Sequence, residues 1–174
     1  GEIVKTVKAR ELFRTIADAA WRCADPGIQY DTTINRWHTT PISGRINGSN
    51  PCSEYVHLDD SACNLSSLNL LSFFRDDSGF DVDGFRHAVR IMISAQEMLV
   101  SRSYYPTEKI GTNARKFRQL GLGYTNLGAL LMAQGIPYDS EEARSLAATI
   151  TAVMTGEAYR TSAQIAARLG AFEG

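Results

Sequence analysis

The sequence predicts a mixed α/β fold, rich in helix with a few short strands, organised as one segment. Three observations lead there. Apolar residues recur at helical spacing in several long stretches, among them Leu12, Phe13, Ile16, Ala19 and Ala20, and later Phe85, Ala88, Val89 and Met92. Short polar–apolar alternations such as Glu54-Tyr55-Val56-His57-Leu58 read as strands. The chain has 174 residues with 44% hydrophobic and 21% charged content, enough for a core of ordinary composition.

Each element follows in order. The first helix is expected over residues 4–23, stopped by the Asp25-Pro26-Gly27 turn. Residues 25–51 are rich in Gly, Pro, Asn, Ser and Thr and read as one long irregular stretch. Loops of that length inside a compact domain are uncommon and often functional. A short strand is expected over residues 54–58, and residues 62–74 read as a strand leading into a short helix. Arg75-Asp76-Asp77-Ser78-Gly79 is a turn.

Residues 81–105 form a helix whose apolar stripe is Phe85, Ala88, Val89, Met92, Ala95, Met98 and Leu99, with Pro106 beyond its end. Leu120-Gly121-Leu122-Gly123-Tyr124 is a tight passage of backbone before a helix over residues 125–134, which Gly135 ends in a left-handed conformation. The last helix covers residues 140–169. Asp139 is its expected cap, with Glu142 three residues on, and Gly170 is its stop. Gly156 falls inside it and costs about 1 kcal/mol relative to alanine unless close packing requires it. Both ends of the chain read as cut from a longer protein.

Composition narrows the function. A net charge of −1 gives no electrostatic basis for nucleic-acid or membrane-surface binding. No apolar run approaches the ~18 residues needed to span a bilayer, and Gly-Glu-Ile-Val-Lys lacks the apolar core of a signal peptide. Three cysteines without a Cys-x-x-Cys pair point to free thiols in a reducing compartment, the cytoplasm, rather than to a secreted disulfide framework.

Chemistry concentrates at Asn50, Cys52 and Glu54. On extended backbone, residues i, i+2 and i+4 face one way, so an amide, a thiol and a carboxylate would meet one substrate. Pro51 stiffens the approach by fixing one φ angle. Glu54 can take a proton from a hydroxyl, and Asn50 can hold that hydroxyl or a neighbouring oxygen. Cys52 can serve as nucleophile, redox thiol or hydrogen-atom donor, or be a buried structural thiol. Cys63 follows eleven residues later, where a returning strand would bring it near for dithiol–disulfide exchange.

The other polar groups read more blandly. Cys23 is assigned to packing. His38, His57 and His87 have no metal-ligand spacing, and solvated or hydrogen-bonded histidine is the default for all three. Arg45 suits a phosphate or a loop carbonyl equally. Gly121 and Gly123 resemble a phosphate loop only loosely, and close backbone packing explains them better. Met92 and Met98 are ordinary helix core, and Glu141, Glu142 and Arg144 form a solvated helix start.

Asn50-Pro51-Cys52-Ser53-Glu54-Tyr55, followed by Asp59-Asp60-Ser61-Ala62-Cys63-Asn64-Leu65-Ser66-Ser67-Leu68-Asn69-Leu70, resembles the active-site region of ribonucleotide reductases, most closely the adenosylcobalamin-dependent (class II) branch. Further pieces agree in type and order: Asp25 to Tyr30, Asn35 to Thr39, Ser43 to Asn47, and Gly121 to Tyr124 with Leu127-Gly128. The resemblance spans about residues 5–174.

It implies a portion of a ten-stranded α/β barrel, with the radical cysteine on a central finger loop. Cys52 would carry a transient thiyl radical that takes the 3′ hydrogen of a ribose. Glu54 would be base to the 3′ hydroxyl and so help expel the 2′ hydroxyl as water. Asn50 would hydrogen-bond the substrate, and Cys63 would be one member of the reducing pair. Adenosylcobalamin would be the cofactor, a ribonucleotide (a diphosphate) the substrate, and a dithiol such as thioredoxin the reductant. Nucleotide effectors and a homodimer of the full-length enzyme also belong to this expectation. The product, a 2′-deoxyribonucleotide, would serve DNA synthesis.

The second reducing cysteine of that family lies far upstream of the motif, and Cys23, only 29 residues before Cys52, is not a match for it. The family's downstream phosphate loop and C-terminal shuttle cysteines have no counterpart here, so the segment alone is expected to be inactive. Two other readings stand beside this one. The class I large subunit takes its radical from a separate metal-containing subunit. A non-catalytic redox module would pair Cys52 and Cys63 as a regulatory disulfide and give Glu54 no role.

Overall fold

A computed structural model describes residues 2–174. The chain divides into two compact units, Gly1–Asp59 and Asp60–Gly174.

In the first unit, helix α1 (Ala9–Cys23) starts later than the periodicity suggests and ends on Ala24 in the left-handed region. None of its residues is buried: Leu12 is 49% and Phe13 58% exposed. The stretch expected to be irregular carries local structure. It forms helix α2 (Asp31–Arg36), a 3-10 turn (Pro41–Ser43) and strand β1 (Ile46–Ser49), which pairs antiparallel with β2 (Val56–Leu58).

Asparagine chemistry explains much of that order. Asn35 donates to the Ile46 carbonyl at 3.0 Å and accepts from the Ile46 amide at 3.0 Å. Its side chain thereby completes the hydrogen bonding of the buried first residue of β1, as a neighbouring strand would. Arg45 pairs with the Asp31 carboxylate of α2 rather than with a loop carbonyl.

In the second unit, β3 (Asn64–Asn69) runs into a 3-10 turn (Leu70–Phe73), as expected. β4 (Phe74–Arg75) and β5 (Gly79–Phe80) form a minimal hairpin around the predicted turn. Helix α3 (Val82–Arg102) is capped by Asp81, whose carboxylate accepts from Gly84 N at 2.8 Å. Its buried residues are Phe85, Val89, Ile93, Gln96 and Val100. The expected stripe is therefore right at its start and shifted at its end: Met98 is 64% and Leu99 55% exposed. The strict helical spacing from Phe85 runs through Ile93 and Gln96, and carries Met98 and Leu99 off the packed face.

Helix α4 (Glu108–Phe117) was not foreseen. It leads to strand β6 (Leu120–Thr125), the glycine-containing passage, which pairs parallel with β3 from Asn64↔Leu120 to Asn69↔Thr125. Helix α5 (Leu127–Ala133) follows, and Gly135 adopts φ +69° just after it. Helix α6 (Glu141–Leu169) is capped by Ser140, not Asp139: Ser140 Oγ accepts from Ala143 N at 3.1 Å. The Asp139 carboxylate instead binds Arg144 at 2.8 Å, which removes it from the cap position.

The core of this unit is Leu70, Phe85, Val89, Ile93, Leu130, Ile150 and Met154. Phe73, Phe80 and Phe85 add an aromatic cluster with centroids 5.2–6.1 Å apart. One carboxylate lies in the α3–α6 seam. The Glu157 side chain is 3% exposed and meets Arg86 at 3.0 Å, Arg90 at 3.4 Å and Arg160 at 3.6 Å. Among the described residues, no helix is long and apolar enough to cross a membrane.

Candidate active site

Asn50, Cys52 and Glu54 all lie in one hairpin turn, the link between β1 and β2. The local geometry differs from the extended run expected. Ser53 N donates to the Asn50 carbonyl at 3.1 Å and closes a tight turn with Pro51 and Cys52 at its centre. Ser53 takes φ +65°, and Gln29 Nε2 fixes its hydroxyl at 2.7 Å. Pro51 favours this turn because its fixed φ suits the second position. The three residues therefore lie along a chain reversal and not along an extended strand.

Asn50 organises the turn. Its backbone N donates to Tyr55 O at 3.2 Å, and its Oδ1 accepts from Tyr55 N at 3.0 Å. Ser49 Oγ donates to the Asn50 carbonyl at 2.8 Å. Cys52 and Glu54 are both exposed, so a thiol and a carboxylate project from a backbone held at both ends.

Beside the turn, the same unit holds a pair of histidines that sequence spacing did not reveal. The His38 and His57 rings meet edge-on at 5.9 Å, and Tyr55 stacks on His57 at 6.2 Å. Thr40 joins them: its amide donates to His38 Nδ1 at 3.3 Å, and its hydroxyl lies 3.4 Å from His57 Nε2. Burial, and then the neighbouring His38 charge, hold the His57 pKa below its ordinary value of 6.5. Among the described residues, no three His, Cys, Asp or Glu side chains converge as a metal cage.

Cys63 belongs to the second unit, immediately before β3. It is half-buried and its Sγ donates to the Asn64 carbonyl at 3.7 Å. A Cβ added to Gly121 would clash with Leu65 Cδ2 and stand 3.2 Å from Cys63 Sγ. Close packing thus explains this glycine, as expected, and a phosphate cradle is not needed. Cys23 was assigned to packing, but it is exposed at the end of α1, where its Sγ donates to Ala19 O at 3.2 Å. No residue of α1 is buried in this unit, so the cysteine has no core to enter.

A buried polar residue next to Cys63 lies outside the sequence expectations. Gln96 is 2% exposed, and its Nε2 donates to Asn64 O at 3.0 Å and to Gly121 O at 2.8 Å. The signal was present: a glutamine at core spacing within an apolar stripe must be satisfying something.

Comparison with known proteins gives this geometry a family. The ribonucleotide reductase barrel domain model matches residues 1–174. A protein of Streptomyces clavuligerus named vitamin B12-dependent ribonucleotide reductase is 57% identical over 178 residues, which cover 100% of this chain and 18% of that protein. A Mycobacterium tuberculosis protein named vitamin B12-dependent ribonucleoside-diphosphate reductase is 38% identical, across 99% of this chain and 25% of its own length. Among solved structures, the alpha subunit of a class Id ribonucleotide reductase from Actinobacillus ureae shares the fold. Its TM-score is 0.75 at 22% identity, over 94% of this chain and 33% of that one. The chain spans less than a fifth of its Streptomyces relative, and it belongs to the ribonucleotide reductase family, within the barrel domain.

Proposed function

We propose that residues 1–174 are one segment of the catalytic barrel of an adenosylcobalamin-dependent ribonucleotide reductase, which makes 2′-deoxyribonucleotides for DNA synthesis. The observation that carries this is the single hairpin turn that holds Asn50, Cys52 and Glu54, with the thiol and the carboxylate exposed. High identity to proteins named for vitamin B12 dependence favours this branch over the class I large subunit. The parallel β3–β6 pair is read as part of a ten-stranded barrel, with the turn as its finger loop.

The cofactor fits what the chain offers. Adenosylcobalamin carries its cobalt within its own ring, so the chain needs to supply an accessible thiol rather than a ligand cage, and Cys52 is such a thiol. When bound, the group supplies the first radical. Cys52 then takes the 3′ hydrogen of the ribose as a thiyl and returns it after reduction. Glu54 accepts the proton of the 3′ hydroxyl, which helps the 2′ hydroxyl leave as water. Asn50 commits its Oδ1 to the turn, so its Nδ2 is the end that donates to a substrate oxygen. Cys63 supplies one of the two thiols that end the turnover as a disulfide.

The substrate is read as a ribonucleoside diphosphate, in line with the name of the Mycobacterium relative. The partners are a dithiol reductant such as thioredoxin, nucleotide effectors and a second copy of the full-length enzyme, in the cytoplasm. The test uses the full-length protein. Formation of deoxynucleotide should require added adenosylcobalamin and no second subunit, and should vanish in Cys52→Ser. Activity that needs a metal-containing partner instead, or a fully active Cys52→Ser variant, contradicts the reading.

A further inference from the structure

We infer that Gln96 is a positioning residue for the Cys63 thiol, a role that rests on the reading of Cys63 as half of the reducing pair. Three facts meet at one carbonyl. Cys63 Sγ donates to Asn64 O at 3.7 Å, and Gln96 Nε2 donates to the same oxygen at 3.0 Å. That Nε2 also holds Gly121 O at 2.8 Å, on the strand paired with β3. Asn64 answers by donating from its own Nδ2 to the Gln96 carbonyl at 3.4 Å.

Gln96 therefore clamps the carbonyl that receives the thiol hydrogen, and also the glycine over which the sulfur sits. A Cβ at Gly121 would stand 3.2 Å from Cys63 Sγ, so the glycine is what lets the sulfur lie against this strand. A buried amide that donates twice is stiff, since moving it breaks two bonds in a water-poor setting. Its Oε1 is buried without a partner among the described residues. A leucine or methionine would fill the space without that unsatisfied atom. The glutamine thus adds its two donated bonds at the expense of a buried acceptor, which points to a role in placing what it holds.

The chemistry needs that placement. In the reducing step one ribose C–OH and two thiols become C–H, water and one disulfide. Cys63 contributes one thiol, and a second cysteine of the full-length enzyme contributes the other. Two protons and two electrons leave the sulfurs, so that one hydrogen ends on carbon and the other in water. Geometry governs such a step steeply, with losses on the order of 10²-fold for ~1 Å of misplacement.

The experiment uses the full-length enzyme with adenosylcobalamin and whichever of the ribonucleoside di- and triphosphates the wild type reduces. Two quantities are read. Tritium lost to water from 3′-labelled nucleotide, through solvent exchange of the Cys52 thiol before it returns the hydrogen, reports abstraction by Cys52. Disulfide formed at Cys63 in a single turnover, by mass spectrometry after alkylation, reports the reducing step. Gln96→Met should lower disulfide and product formation about tenfold or more, with KM and tritium release within about threefold of wild type. Gln96→Glu keeps the shape. It should recover part of the loss as pH falls and its carboxyl gains a proton to donate.

Wild-type product formation in Gln96→Met overturns the inference. So does joint loss of tritium release and disulfide in both Gln96 variants, which would make the residue a packing element. Where Gln96→Met loses both, a Gln96→Glu variant that loses only the disulfide step supports the role. A Cys63→Ser variant separates the two levels. If it forms product at the wild-type rate, the reading of Cys63 fails and this inference with it. If it is inactive while Gln96→Met is normal, only the inference fails.

Discussion

A turn held by Asn50 keeps both Cys52 and Glu54 at its surface. Exposure sets what each can do. The turn's hydrogen bonds do not use the Glu54 side chain, so Glu54→Gln should leave the turn intact while removing the proposed base. We expect kcat to fall about 10²- to 10⁴-fold with little change in KM, measured as steady-state deoxynucleotide formation. An unchanged kcat would favour the redox-module reading, in which Glu54 has no role. The sequence placed Asn50, Cys52 and Glu54 in one short segment, and the structure carries all three in one turn. Their geometry was not legible in the sequence. Alternation was assumed for a segment whose Pro51 favours a turn, and the asparagine side chain that replaces a backbone partner leaves no periodic trace. The His38–His57 contact was hidden for a related reason, since residues 19 positions apart meet only through a tertiary fold.

Elements were legible where periodicity is long. α3 and α6 appear within a few residues of their expected bounds, because core-facing residues repeat over many turns and the N-caps have side-chain acceptors. α2 and β1 were missed because six and four residues carry too little pattern, and their order comes from Asn35. α4 has its signals in plain view: Thr107 caps it by accepting from Ile110 N at 3.2 Å, and Arg118 ends it in the left-handed region. The sequence also posed a question about Gly156 that the structure answers. A Cβ there would meet nothing within 4 Å, so no close packing requires the glycine. Gly156→Ala should stabilise the protein by about 0.5–1 kcal/mol, read as a raised denaturation midpoint with an unchanged denaturant slope.

At the scale of the whole molecule, charge at the α3–α6 seam ties helices distant in sequence. Burial opposes ionisation of Glu157, but the Arg86 hydrogen bond and the charges of Arg86, Arg160 and Arg90 outweigh it and hold the pKa below its ordinary 4.5. The folded state therefore binds fewer protons than the unfolded one in that range. The stabilisation is present above about pH 4.5 and is lost as pH falls through the lower folded value. Glu157→Gln should cost about 1.5–3 kcal/mol near neutrality, with the gap from wild type narrowing in acid, by denaturation at several pH values. A gap that is constant with pH would mean that the carboxylate's charge is not what holds the seam.

The chain's place in a larger enzyme rests most directly on Cys52. With the full-length protein, adenosylcobalamin and 3′-tritiated ribonucleotide, the wild type should release tritium and form deoxynucleotide. Cys52→Ser, which keeps the turn and replaces only the sulfur, should do neither. Tritium release by Cys52→Ser at the wild-type rate would contradict the assignment of the radical to this thiol.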